Sequence, residues 1–309
     1  MKLSKENRLT RKFSPLSAIM LAILLLFSIV LLGMLFWTVM TAFKSASFSG
    51  FVSKTPSTYK LPKKLHFDNV GKAISNFYLE SIPYPEESGR GTRTVYIGHM
   101  FLYTILYCVG CSVIQTIVQC VTAYLCAKFK YKLSKVVEYI VIVVMIIPVV
   151  GSLPAEITLS KKLNLYNHMY GIWIMKANFL GMYFLIFLSA FKGISMTYTE
   201  AAKIDGASNM CIMLKIIFPL VKNVIFTVIL VNFITYWKDY QTPLIYIGAY
   251  PTVTYGLFKV IFESSSSAGM VSVPIRMTAS IIVVMPLIII FIIFQKRLLG
   301  NLTMGGIKG

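Results

Sequence analysis

Lys238 and Asp239 stand side by side in a run that is otherwise apolar, flanked by Trp237, Tyr240, Gln241 and Pro243. An ionisable side chain inside such a segment is expensive to solvate, and by default it marks a pathway or a cavity. An aromatic face beside hydrogen-bonding groups suits a carbohydrate, whose ring faces are apolar and whose edges carry hydroxyls. Adjacent helix positions point about 100° apart, so the two charges cannot share one line. The competing reading is an interhelical ion pair beside an interfacial aromatic. A second polar interruption, Pro148, Gly151, Pro154 and Glu156, suggests a broken helix. Broken helices at membrane depth line cavities, and a simple kink near the outer face is the alternative. Cys108 and Cys111 have a C-x-x-C spacing, which metal and redox sites use. With no second pair and no histidine cluster beside them, they read as small buried apolar residues. His99 and His168 fall near the outer boundary of their runs and take no role.

The elements that must position these residues are apolar. The chain of 309 residues is 57% hydrophobic and only 13% charged, with a mean hydropathy of +0.73. A soluble domain carries about a quarter charged residues, so this composition points to a polytopic membrane protein. The net charge of +19 is not gathered into one helix or patch. It reads as basic residues at membrane faces rather than as a nucleic-acid site. Residues 13–43 hold no charge and follow Arg8, Arg11 and Lys12. This run is longer than the core of a signal peptide and reads as a retained first span.

Six candidate spans are expected at about 16–43, 97–127, 136–157, 170–191, 219–247 and 273–295. Lys176 lies near the start of the fourth. Orientation follows the basic connections: Lys128, Lys130, Lys132 and Lys135, then Lys192, Lys203, Lys215 and Lys222, then Lys296 and Arg297. They place both termini in the cytoplasm, because the lysine-bearing 44–96 segment is long and long loops weigh little. A cytoplasmic tail (1–15) and one membrane domain (16–309) are the economical division.

Between the fourth and fifth runs lies "TEAAKIDGASNM", residues 199–210. Thr199 reads as an N-cap with Glu200 in the first turn. Ala201 and Ala202 are small and strongly helix-forming. Asp205-Gly206 breaks the helix. Residues 207–218 then form a second helix with an apolar face, ended by Pro219. Small residues on the first helix would let another protein's backbone come close. An interfacial hairpin that merely connects two spans is the alternative.

The stretch "EAAKIDGASNMCIMLKIIFPL" resembles the coupling-loop signature of binding-protein-dependent ABC importer permeases. Residues 163–195 resemble the segment that leads into that loop in carbohydrate permeases. "NFITYWKDYQTPLIYIG" (232–248) resembles their W-x-[DE/N]-x-x-x-P-L-I stretch, and residues 294–309 are similar to the C-terminus of the maltose-type permease of the second kind. The likeness covers about 16–309 and is strongest from 163 onward. It departs from the family in the long 44–96 region, and in "HMFLYTILY" where the second span usually starts with Asn-Ser.

The resemblance implies an all-α membrane protein of the type I ABC importer permease fold, with six transmembrane helices and a cytoplasmic coupling-helix loop at 192–218. It implies a bacterial plasma membrane setting, surrounding membrane lipid, a second permease, two ATPase subunits and an extracellular carbohydrate-binding protein. ATP and Mg would sit on the ATPase subunits, for this chain contains no G-x-x-x-x-G-K-[ST]. Coupling would fall to Glu200, Ala201, Ala202, Asp205, Gly206 and Pro219. The substrate path is assigned to Trp237, Lys238, Asp239, Tyr240, Gln241 and Glu156, with no cofactor in this chain and no nucleic acid. Three other classes stand beside this reading. One is an importer of the same build for a non-sugar such as a phosphorylated polyol. Another is an ATP-independent channel or secondary transporter using Lys238 and Asp239 as an ion site. The last is a polytopic membrane enzyme, which would need a clustered catalytic set that three histidines and few carboxylates do not provide.

Overall fold

The computed structural model describes residues 15–45, 60–62, 64–85, 91–129, 131–147, 151–262 and 272–302, with side chains as far as residue 296. The tail before Pro15, Pro148, the serine run and the chain end lie outside the described residues. In order the elements are α1 (Pro15–Ala42), α2 (Asp68–Asn76), β1 (Tyr78–Pro83), β2 (Thr92–Tyr96), α3 (Ile97–Lys128), α4 (Lys132–Ile146), α5 (Leu153–Lys162), α6 (Met169–Met175) and α7 (Met182–Lys192). They continue with α8 (Thr197–Ile204), α9 (Asn209–Cys211), a π-helical segment (Ile212–Ile217), α10 (Phe218–Lys238), α11 (Gln241–Tyr246), α12 (Val253–Phe262) and α13 (Val273–Leu302).

Among the described residues, four helices are long and apolar enough to cross a membrane: Pro15–Ala42, Ile97–Lys128, Asn209–Lys238 and Val273–Lys296. The expected third and fourth spans are each broken. The third divides into α4 and α5, with Gly151 at φ +81° between them. The fourth divides into α6 and α7, parted by Lys176–Gly181. Gly181 adopts φ +139°, which a side chain tolerates poorly, so the helix cannot run through it. The fifth starts earlier than expected, at Asn209, and stops at Lys238. An antiparallel hairpin, β1 with β2, adds strand structure to a chain read as all-α. Leu79, Ile82 and Val95 are its buried side chains, and a bulge lies between Leu79 and Ile82.

Packing divides the chain into two units, residues 1–73 with 269–281 and residues 74–268 with 282–309. In the first, α1 presents apolar side chains all round, from Leu16 to Phe36, nearly all exposed. That is how a helix solvated by lipid reads. Ser28 and Thr38 donate their hydroxyls to Leu24 O and Met34 O four residues back, whereas the buried Thr41 hydroxyl has no partner among the described residues. The end of α1 is tied by Asn69, whose Nδ2 donates to Ala42 O (2.7 Å) and Lys44 O (2.8 Å). Phe43 packs on Phe67 at 5.1 Å.

The second unit is organised around α3, which at about 1.5 Å per residue is long enough to exceed the hydrocarbon thickness. It packs chiefly against α7 and α10. Their shared core includes Cys120, Tyr124, Phe184, Phe187, Phe191, Ile212 and Ile217. Trp173 lies across Gly110, where any side chain would collide with the indole, and donates to Leu106 O at 3.2 Å.

Replacing Asn69 with Ala removes both N–H donors to the end of α1: Lys44 O loses this partner, and Ala42 O keeps the Thr278 hydroxyl (3.1 Å). The thermal midpoint of the detergent-solubilised chain should fall by the equivalent of about 1–3 kcal/mol. An unchanged midpoint would show that the tie contributes nothing.

Candidate functional site

The stretch 197–211 folds as a compact hand. Met196 O accepts from the amides of Thr199 and Glu200, so α8 begins two residues before Thr199. Thr199 is therefore inside the first turn rather than at the cap. Its side chain is buried, and its hydroxyl has no partner among the described residues. The helix closes in a Schellman arrangement: Ala207 N donates to Ala202 O, and Gly206 N to Lys203 O. This closure needs a left-handed residue, which Gly206 supplies at φ +79°. Ala202 and Ala207 pack into the core beside Phe191 and Ile212, giving the apolar contact that goes with such a cap. Ser208 then caps the next helix, its Oγ accepting from Cys211 N at 3.3 Å.

The hand has two faces. Ala202 is turned into the chain's own core. Glu200, Ala201, Lys203, Ile204, Asp205 and Gly206 are exposed. Ile204 is 87% exposed, a large apolar side chain standing at the tip. It is missing from the sequence-derived set, although its place between Lys203 and Asp205 in a polar loop is a legible signal.

Pro219 does not end a helix as expected. The chain runs helically from Asn209 to Lys238. A proline inside a helix lacks its N–H and crowds the carbonyl four residues back. Here a wider π turn precedes it, in which Phe218 N donates to Met213 O, and the helix passes through. Pro219 is exposed and lines a groove of about 690 Å³ with Leu214, Phe218, Lys222 and Phe226.

The Trp237–Gln241 platform is not formed as expected. Trp237 is buried at 4% exposure, donates from Nε1 to Val283 O (3.1 Å) and packs against Phe101 and Phe233. The ring of Tyr240 is stacked on Phe258 at 4.5 Å. Lys238 and Gln241 are exposed. Lys238 makes no ion pair among the described residues, so the interhelical pair is absent there. Asp239 instead follows the end of α10. Its Oδ1 accepts from Thr242 N (3.0 Å) and its Oδ2 from the Tyr107 hydroxyl (3.0 Å). Glu156 accepts from Ser152 and from the Tyr246 hydroxyl (3.0 Å), tying α5 to α11.

A polar seam that the sequence reading missed joins α3 to α10. Tyr107, Cys111, Gln115 and Gln119 recur every fourth residue and so share one face of α3. Tyr236 donates to Gln115 Oε1, and Asn232 Nδ2 to Thr116 Oγ1 (3.1 Å). Gln119 Nε2 donates to Leu180 O at the break between α6 and α7, and its Oε1 is buried without a partner among the described residues. Lys176, in the same break, holds its ammonium 5.7 Å from the Tyr236 ring centroid. The glutamines of an apolar run were a readable signal, but their partners were not. Cys108 and Cys111 are free thiols buried in this helix.

Residues 119–302 match the family described as "Binding-protein-dependent transport system inner membrane component". The chain belongs to this family. The hand, the π segment and the α10 side of the seam fall within the matched part of this inner membrane component, while Tyr107, Cys111, Gln115 and Thr116 of α3 precede it. It is 24% identical over 307 residues to the maltodextrin transport system permease protein MalD of Streptococcus pneumoniae, covering 98% of each chain. It is also 25% identical over 217 residues to the melibiose/raffinose/stachyose import permease protein MelC of Bacillus subtilis, covering 69% of this chain and 77% of that one. A solved bacterial ABC transporter involved in the import of the acidic polysaccharide alginate contains a chain of the same fold. Its TM-score is 0.70 at 20% identity, over 93% of this chain and 98% of that chain.

In this inner membrane component, Tyr107→Phe leaves one oxygen of Asp239 without its donor. The expected loss is about 1–3 kcal/mol, read as a lowered thermal midpoint in detergent. A Phe variant as stable as the parent would mean that water replaces the phenol.

Proposed function

We propose that this chain is one of two permease subunits of an ATP-driven importer, forming with the other the membrane path for a sugar or oligosaccharide delivered by an external binding protein. The named relatives carry sugars and oligosaccharides. On this reading the chain crosses the membrane six times, with α4–α5 and α6–α7 as two-piece spans. The termini and the hand face the cytoplasm, ATP and Mg are held by two separate ATPase subunits, and the membrane is a bacterial plasma membrane.

The observation that carries the coupling role is the exposed tip of the hand. An apolar Ile204, flanked by charges on a rigidly capped turn, suits insertion into a groove of another protein. Glu200, Ala201, Asp205 and Gly206 surround it, while Ala202 and Pro219 act from within the chain. Ala202 locks α8 to the core, and Pro219 sits at the joint that opens α10. From Asn209 to Lys238 the backbone is one rod about 45 Å long. A push at the hand is therefore delivered to the far end, where Asp239 and Tyr236 bond to α3. The solute path runs along the seam, with Gln115, Gln119, Lys176 and Tyr236 offering hydroxyl-compatible groups. Asp239 and Glu156 hold the helices that bear them.

Ile204→Asp should leave the chain folded, because the side chain touches little of its own protein. ATP hydrolysis stimulated by loaded binding protein should fall tenfold or more, about 1.4 kcal/mol of lost coupling. Gly206→Val should lower the same rate, and also cost stability because β-branched residues resist a positive φ. Stimulated hydrolysis at the parental rate in Ile204→Asp would refute the docking role.

A further inference from the structure

Where α3 ends and α4 begins, two cavities lie side by side. The first, of about 610 Å³, is lined by Lys128, Lys132, Lys135 and Lys192, with Glu138 as its carboxylate. The second, of about 370 Å³, is lined mainly by apolar side chains, among them Leu125, Phe129, Leu133 and Val137. They share Cys126, Tyr131 and Ser134. From these paired cavities we infer that this corner is a binding site for one anionic phospholipid, the headgroup among the lysines and an acyl chain in the apolar cavity.

The charges are the first argument. Lys192 is neutralised by Glu138 at 2.9 Å, and the Lys128 ammonium donates to Ile194 O at 2.6 Å. Lys132 and Lys135 are exposed and make no ion pair among the described residues. Both stand in the first turn of α4, a 15-residue helix whose N-cap, Tyr131, gives no side-chain hydrogen bond. The start of a helix already carries positive potential and unpaired N–H groups. Two lysines there repel it, and an anion resolves both problems at once.

Shape and depth are the second argument. α3 is a membrane-length helix and α4 carries on as an apolar one, so their junction lies at headgroup level. Tyr131, at the junction and 68% exposed, suits the aromatic belt there. Free phosphate or an acidic protein loop would use only the basic cavity. A phospholipid uses both, and basic pockets between membrane helices take such headgroups. Ile194 and Met196 also line the basic cavity, and Met196 O caps α8. A lipid here would touch the base of the hand; any effect on coupling rests on the role proposed above, but binding does not.

The test uses the chain purified with its co-purifying subunits in nanodiscs of phosphatidylcholine containing phosphatidylglycerol, with retained lipids counted by native mass spectrometry. Each lysine near an anionic surface lends about fivefold, so Lys132→Gln with Lys135→Gln should lower phosphatidylglycerol retention roughly 25-fold. The corresponding double arginine variant should keep it. Thr122→Phe, which narrows the apolar cavity, should also weaken it. Glycerol phosphate should fail to displace the lipid. Equal retention by parent and double glutamine variant would overturn the site, as would displacement by glycerol phosphate, which would mean an anion site without a lipid tail. Loss of an ATPase subunit with lipid retention intact would identify a protein interface instead.

Discussion

Polar groups at membrane depth have no water to turn to, and most of this structure is arranged around that constraint. Helices satisfy the backbone, and the remaining hydroxyls, amides and indoles must find partners in the protein. Ser28 and Thr38 do so within α1. Gln115, Thr116 and Tyr107 do so across helices, meeting Tyr236, Asn232 and Asp239. Trp237 gives its N–H to Val283 O. These bonds fix the rotation of α10 against α3 more narrowly than apolar packing could, because one step of rotation would strand several polar groups together.

The same constraint explains why helix ends inside the chain are built with care. Asp239 takes over where α10 stops, accepting one amide and one phenol. On the exposed hand, where that constraint does not act, Gly206 serves the turn itself, letting the chain reverse while the last carbonyls of α8 stay bonded. The π turn before Pro219 keeps a long helix continuous despite a residue that removes a donor. A rod interrupted at Pro219 could not link the hand to the seam; a continuous one can.

The basic corner at the α3–α4 junction sits at the other boundary, where the chain meets headgroups rather than hydrocarbon. There the requirement reverses. Exposed lysines are cheap, tyrosines serve as anchors, and an uncapped helix start can leave its N–H groups to an anion. The hand emerges from the same corner through Ile194 and Met196.

The sequence by itself determined the class of protein, the approximate position of the apolar runs and the presence of a helix–glycine–helix hand. Each of these depends on local properties: hydropathy over about 20 residues, helix propensity, and the backbone freedom of Gly206. Tertiary structure alone decided which side chains those elements turn outward. Ala201 and Ala202 are indistinguishable in sequence, yet one is exposed and the other sealed in the core with Phe191 and Ile212. Trp237 and Tyr240 had the residue types of a sugar platform, but Val283, Phe101 and Phe258, remote in sequence, cover or bind them. The breaks at Gly151 and Gly181, the strand pairing of β1 with β2 and the partners of Gln115 depend likewise on contacts between distant segments. Hydrophobic pattern records that a residue is inside the membrane, but not what it faces there, because lipid and protein interior are nearly equally apolar.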